Sequence, residues 1–309
     1  MKYKREIVIG SRKSNLARVQ TQILIKSLRK IGISNIITRY VSTEGDALGS
    51  ERFKAQGGKG LFTKNIDTLL LNKSIDLGVH STKDIPAFIN NKLKIGAYLK
   101  RENPREMLIA KNINIRSLND LPNSCTLGSS SPRRTCYIKM YRPDIKIIPI
   151  RGNINTRINM VRDNKIYATI LAAAGIKRIG HLQEGVYVSI LPLSTILPAP
   201  GQGAIAIMHR TEDKVISKIC KLIDDYKTRI AIEAERDVIK NIHGDCFTPI
   251  GAYANIENNN LFVRARLYAR NGAYFAEEKI KMEISKSKGI GKLCAKKILK
   301  KLQTKSKKK

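Results

Sequence analysis

Tryptophan is absent from the 309 residues, and aromatic side chains make up only 6% of them. Ile, Leu and Val must therefore fill the cores, and little material is left for base-stacking platforms. Acids are scarce, with 25 Asp and Glu against 58 Lys and Arg. No run approaches about 18 apolar residues, so no membrane-spanning helix is expected. The five cysteines, at 125, 136, 220, 246 and 294, form no C-x-x-C pair and no metal-ligand spacing. The odd count and the lack of a secretion signal argue against a disulfide framework and point to a reducing cytosol. The charged start Met1 to Gly10 holds only a short strand, Ile7 to Ile9, too brief for a signal-peptide core. There is no P-loop: Gly57-Gly58-Lys59-Gly60 lacks the leading strand and the spacing.

What is present is a foldable soluble composition, 42% hydrophobic and 27% charged, long enough for two or three domains. The net charge of +33 admits nucleic-acid binding, affinity for a polyanionic small molecule, or a drift toward Lys across the whole surface. Lys is spread along the chain, with a dense tail only at Lys305 to Lys309, which fits the drift. Several Arg residues sit instead in Gly/Ser-rich loops and need another account.

The chain alternates strand and helix, which predicts a parallel, doubly wound α/β sheet. Strand Ile7–Gly10 leads through Gly10-Ser11-Arg12-Lys13-Ser14 to a helix reaching about Lys30, with Ser14 as N-cap and Leu16, Val19, Ile23 and Leu28 as its apolar face. Strand Ile36–Val41 precedes a polar Gly-bearing segment, in which 47–58 is expected to form a mobile cover. A helix over Leu61–Lys73 and a buried strand over Ile75–Val79 follow, ending in His80-Ser81-Thr82-Lys83-Asp84-Ile85-Pro86. Ligand sites of such sheets lie at the carboxyl ends of strands, so this polar group is the first place to look for chemistry. A lone acid beside a Lys is equally well a structural ion pair.

A second unit repeats the device. Strand Cys125–Gly128 runs into Gly128-Ser129-Ser130-Ser131-Pro132-Arg133-Arg134, with Ser131 as N-cap and Pro132 at the first helical position. Helix N-termini hold anions, and Arg forks suit carboxylates. Two such loops, with Arg151-Gly152-Asn153 to Arg157 and Lys177-Arg178, suggest a ligand carrying many carboxylates or phosphates. Cys246 lies in a loop, where a functional thiol and an inert packing residue are both open readings; the other four cysteines read as packing residues.

Taken in order, Gly57 to Phe62, Val79 to Pro86, Arg133-Arg134, Arg151 to Arg157, Leu171 to Gly175 with Lys177-Arg178, Pro200-Gly201-Gln202-Gly203-Ala204, Ala234-Glu235-Arg236, and Cys246 with Pro249-Ile250-Gly251 make the chain resemble the porphobilinogen deaminase (hydroxymethylbilane synthase) family over nearly its whole length. The resemblance implies a transferase that joins four porphobilinogen molecules head to tail with loss of ammonia, giving hydroxymethylbilane for tetrapyrrole synthesis. It implies a dipyrromethane cofactor held by a thioether to Cys246. It makes Asp84 the catalytic carboxylate. It assigns cofactor contacts to Ser14, Lys83, Asp84, Ser129, Ser131, Arg133, Arg134, Arg151, Gly175 and Gln202, and substrate contacts to Arg12, Arg157 and Arg178. The family's Gly-Gly before the cysteine reads Gly244-Asp245 here, and His243 stands for an acid.

The expectation is therefore a cytosolic monomer with no metal, no nucleic-acid partner and no membrane partner. Two α/β domains like those of periplasmic binding proteins, 1–100 with 198–220 and 101–197, flank a cleft, and a small α+β domain, 221–309, carries Cys246. Two rivals remain at this point. A two-lobed anion-binding protein explains the Arg loops but not Asp84 with Cys246. A nucleic-acid-binding protein explains the charge but not the dearth of aromatics.

Overall fold

The structure is a computed structural model that describes residues 5–42, 63–180, 184–245, 247–269 and 272–306. In chain order its elements are β1 (Ile7–Arg12), α1 (Asn15–Lys30), β2 (Ile36–Val41), α2 (Lys64–Leu71), β3 (Leu77–Ser81), β4 (Leu93–Leu99), β5 (Glu106–Ala110), β6 (Thr126–Gly128), α3 (Pro132–Tyr141), β7 (Lys146–Ile148), α4 (Ile154–Arg162), β8 (Ala168–Ala172), α5 (Ala173–Ile179), β9 (Tyr187–Leu191), β10 (Ile205–Arg210), α6 (Lys214–Ile223), α7 (Tyr226–Asn241), β11 (Ile250–Glu257), β12 (Asn260–Tyr268), β13 (Phe275–Glu283) and α8 (Ile290–Ser306). They form two compact units, Met1–Glu102 with Ala204–Ile230 and Asn103–Gly203 with Ala231–Lys309.

The first unit is built on a sheet of order β2-β1-β3-β10-β4. β1 runs parallel to β2 and β3, while β10 is antiparallel to both β3 and β4. The second unit has the order β7-β6-β8-β5-β9, with β6 parallel to β7 and β8, and β5 antiparallel to β8 and β9. The repeat is thus one of topology, down to the reversed strand in fourth place. An all-parallel sheet was expected, and both sheets are mixed. Periodicity reports burial and not direction, so a reversed strand between buried neighbours reads like a parallel one.

Helices cover both faces, as continuous apolar strands require. In β5 the side chains alternate: Leu108 and Ala110 join a core with Leu127, Ile138 and Ile170, whereas Ile109 joins Ile150, Ile158, Val161 and Leu171 on the other face. In the first unit Ile7, Ile9, Leu77, Val79, Ile205 and Ile207 pack against Leu24 and Leu28 of α1 and Ile216 and Ile219 of α6. The buried stripe of α1 is Ala17, Thr21, Leu24, Ile25 and Leu28. It is rotated from the one expected, with Leu16, Val19 and Ile23 only half-buried. Gln20 is buried in that stripe because its amide donates to Ser81 Oγ at 2.8 Å.

The C-terminal part of the second unit is an antiparallel sheet, β11-β12-β13. α8 packs on it through Ile290, Cys294, Ala295 and Ile298, all buried. Its lysines 292, 296 and 300 stand in solvent.

Candidate active site

In the first unit the chemistry-bearing residues gather at the carboxyl ends of β1 and β3. Parallel pairing sets Gly10 opposite Gly78, which brings Arg12 level with His80. No larger residue fits at 78: a Cβ there would stand 2.7 Å from Ile66 Cγ2 and 3.1 Å from His80 Nε2. His80 is buried, and burial, with the Arg12 cation adding to it, pushes its imidazole down to about 3. It is a neutral ring at physiological pH, and its Nε2 has no hydrogen-bond partner. After β3 the chain makes one 3-10 turn over Thr82–Asp84. Thr82 fixes it by donating its N–H and its hydroxyl to Ala204 O, both at 3.1 Å. Asp84 sits on that turn half-buried, with Lys83 exposed beside it. Ser14 caps α1, accepting the Ala17 N–H at 3.3 Å.

In the second unit the loop after β6 carries a row of hydroxyls. Ser129 Oγ accepts the Ser131 N–H, Ser130 donates to Ile150 O at 2.7 Å, and Ser131 caps α3 with Pro132 at its first position. Arg133 and Arg134 fall in the first turn of α3, and both are buried. One carboxylate serves the pair: Glu106 Oε1 accepts from Arg133 Nη2 at 2.5 Å and Oε2 accepts from Arg134 Nη2 at 2.7 Å. Arg133 also donates through Nη1 to Leu197 O at 2.6 Å, so its fork is engaged by the chain itself. Arg134 Nε is buried and has no partner.

The next loop turns at Gly152, with φ +99°. Asn153 caps α4 through the Thr156 N–H at 2.9 Å, and Arg157 Nε donates back to Gly152 O at 3.0 Å. Burial, and then the neighbouring Arg134 and Arg151, push the Arg157 guanidinium down to about 10. Three cations therefore share one region of this unit, and like charges held together disfavour each other until an anion arrives. Gly175 is buried in α5. Arg178 at the end of that helix donates to Gly203 O at 2.6 Å, and Gln202 donates to Pro104 O at 2.7 Å.

One acid, Glu106, escaped sequence reasoning, and a second, Glu235, entered it only as part of a matching segment with no role assigned. Glu106 opens β5, a strand that was not expected. Glu235 is buried on α7 and accepts the N–H groups of Gly201 and Ala254, both at 2.7 Å, fixing the Pro200–Gly203 turn. The signal for Glu106 was a charged residue opening an apolar run, Met107 to Ala110; for Glu235 it was the Ala234-Glu235-Arg236 segment that carries the resemblance, which does not reveal its two backbone partners.

Cys246 and the 47–58 segment lie outside the described residues. Beside Cys246, Asp245 Oδ1 accepts the Phe247 N–H at 2.9 Å and the Thr248 hydroxyl at 3.0 Å. The left-handed residue of this loop is His243, φ +51°, so the Asp at 245 needs no glycine conformation. Burial raises the thiols at 125, 136, 220 and 294, those at 220 and 294 up to about 12. None of these four is a thiolate near neutrality. Among the described residues no group of three His, Cys, Asp or Glu could hold a metal, and no helix is long and apolar enough to cross a membrane.

Residues 7–218 match the family model "Porphobilinogen deaminase, dipyromethane cofactor binding domain", and residues 229–300 match "Porphobilinogen deaminase, C-terminal domain". The chain belongs to the porphobilinogen deaminase family. Its curated relatives include the porphobilinogen deaminase of Orientia tsutsugamushi, 38% identical over 96% of this chain and 99% of that one, and that of Clostridioides difficile, 36% identical over 95% and 97%. Among solved structures, the periplasmic VFT2 domain of Bordetella pertussis BvgS covers 75% of this chain and 91% of its own at 11% identity and a TM-score of 0.43. At that level the likeness carries no argument, and the strand orders themselves define the fold. A porphobilinogen deaminase holds a dipyrromethane, whose pyrroles bear acetate and propionate arms. The second unit suits such a group: Arg134 keeps a buried donor unused, and Arg151 and Arg157 add charge beside it.

Proposed function

We propose that this chain is a porphobilinogen deaminase, a cytosolic and monomeric hydroxymethylbilane synthase that condenses four porphobilinogen molecules with release of ammonia. The observation that carries the reading is the cluster in which Arg134 and Arg151 stand close enough to Arg157 to add to the depression of its guanidinium, with Glu106, among the described residues, the carboxylate bonded to both Arg133 and Arg134. Such a cluster favours a polyanion, and each added pyrrole brings two carboxylates.

Ser129, Ser131, Arg134, Arg151, Gly175 and Gln202 would hold the dipyrromethane arms, with Arg133 acting as the buried half of the Glu106 pair; the family resemblance assigns cofactor contacts to Ser14 and Lys83 as well. Arg12, Arg157 and Arg178 are assigned to the substrate arms. Bound through a Cys246 thioether, the group supplies a pyrrole α-carbon for the first condensation and keeps the growing product on the protein. Asp84 does the proton work. Its carboxylate accepts the N–H of the substrate pyrrole and stabilises the cation left when ammonia departs. It then takes the α-carbon proton that each new carbon–carbon bond displaces. The short turn fixed by Thr82 limits how far this carboxylate can swing. Of the five cysteines, the four described thiols are raised by burial, which leaves Cys246 for capture of an electrophile.

Purified protein should release ammonia from porphobilinogen and form a linear tetrapyrrole. Asp84→Ala should lower turnover by about a thousandfold, in the range for a lost acid–base group, at an unchanged melting temperature. Retained turnover in that variant contradicts the assignment of Asp84.

A further inference from the structure

Glu106 belongs to no motif that carries the family resemblance, yet it is fully buried and bonded to two adjacent guanidiniums. It opens β5, paired with Ala172 of β8 on one side and Leu191 of β9 on the other. The backbone ladder therefore fixes where its carboxylate emerges. Arg133 and Arg134 stand in the first turn of α3, where the helix field opposes cations. Two buried guanidiniums there repel each other and the helix end, and Glu106 is what holds them in place.

The two arginines are used differently. Arg133 is closed off by Glu106 and Leu197 O. Arg134 gives one nitrogen to Glu106, keeps Nε without a partner, and lies near Arg157. We propose that Glu106 is a positioning residue: its bridge across Arg133 and Arg134 orients the Arg134 fork toward an acidic arm of the dipyrromethane, so that the group's assembly on the protein depends on a residue that does not touch it. The inference rests on the reading given under Proposed function.

The test is a double-mutant cycle, read as the ratio of dipyrrole-loaded to unloaded protein by intact mass after purification from one host. Glu106→Gln keeps the shape but replaces one accepting oxygen with an amide that faces a guanidinium. It should lower the ratio at least about twofold, the low end of coupling within one ion-pair network. Arg134→Ala should do the same, and the double variant should load no worse than the poorer single one. Losses that multiply, or normal loading of Glu106→Gln, overturn the proposal. So does a loading loss that simply follows the fall in melting temperature across the variants, since that marks a purely structural acid. Glu106→Asp covers the case in which the Gln variant does not fold. It keeps the charge on an arm too short to bridge both partners and should load at an intermediate level, and full loading overturns the bridge. If wild-type protein carries no dipyrrole, the functional reading fails. If wild type loads and the losses multiply, only the role of Glu106 fails.

Discussion

Buried His80 and half-buried Asp67 give the first unit two titrations of opposite sign. His80 is pushed down to about 3 by burial and by Arg12, below the ordinary imidazole value near 6.5. Its neutral form is the folded form, so its contribution is complete above about pH 6.5 and is lost as pH falls below that. Asp67, in the first turn of α2, is pushed up to about 6 by burial against the opposing pull of a Thr63 hydrogen bond. Its folded form prefers the proton, so it destabilises at neutral pH and recovers as pH falls through about 6 toward the ordinary carboxylate range. Asp67→Asn should therefore raise stability at pH 8 by about 1 kcal/mol or more and leave it unchanged near pH 4. His80→Gln should remove the loss between pH 6.5 and 4.5 and have its smallest pH-linked effect above pH 7. Urea midpoints across pH 4 to 8 check both, and a steeper acid loss in His80→Gln contradicts the assignment. The sequence offered His80 as one polar residue among several. Its burial and its cationic neighbour follow from the β1–β3 register, which no local pattern reveals.

At the scale of elements, the helix starts were the most legible features. Ser14 and Ser131 cap as expected, and Asn153, not singled out as a cap in the sequence, caps in the same way, because a short side-chain oxygen before an apolar run satisfies N–H groups that only it can reach. β5 was illegible for an electrostatic reason: it begins with a charged residue, and only the arginines of α3, some thirty positions later, make burial of that charge tolerable. β9, β13 and α6 were missed as well, β13 because its alternation of buried and exposed positions is carried largely by charged side chains such as Glu278 and Lys279. β11 meets the segment that anchors Arg133. A Cβ on Gly251 would stand 2.7 Å from Leu197 Cβ and 2.9 Å from Leu197 O, the carbonyl that accepts from Arg133. Gly251→Ala should cost about 1–3 kcal/mol, the usual range for overpacking, seen as a lower urea midpoint. An unchanged midpoint would mean that Leu197 can retreat without loss.

For the whole molecule, charge and fold separate cleanly. The net charge of +33 is spread well beyond the loops: the exposed lysines of α8 face solvent, as surface drift implies, while Arg133, Arg134 and Arg178 are buried or half-buried on acids and carbonyls and Arg151 is exposed. The doubly wound plan was readable from alternating strands and helices, and the paired strand-to-helix loops from their Gly and Ser content. The reversed strands β5 and β10 were not, because each lies between strands that are distant in sequence. Family membership rests on segments spread over almost the full chain, and it fixes the reaction more firmly than any single loop does. The central claim is that an acidic dipyrrole is tethered to Cys246 and gripped by the arginines around α3 and α4. Intact mass of the purified protein, followed by peptide mapping, tests it most directly. The account predicts an increment equal to two linked pyrroles, located on Cys246 and lost in Cys246→Ser; fully active protein with an unmodified Cys246 would contradict it.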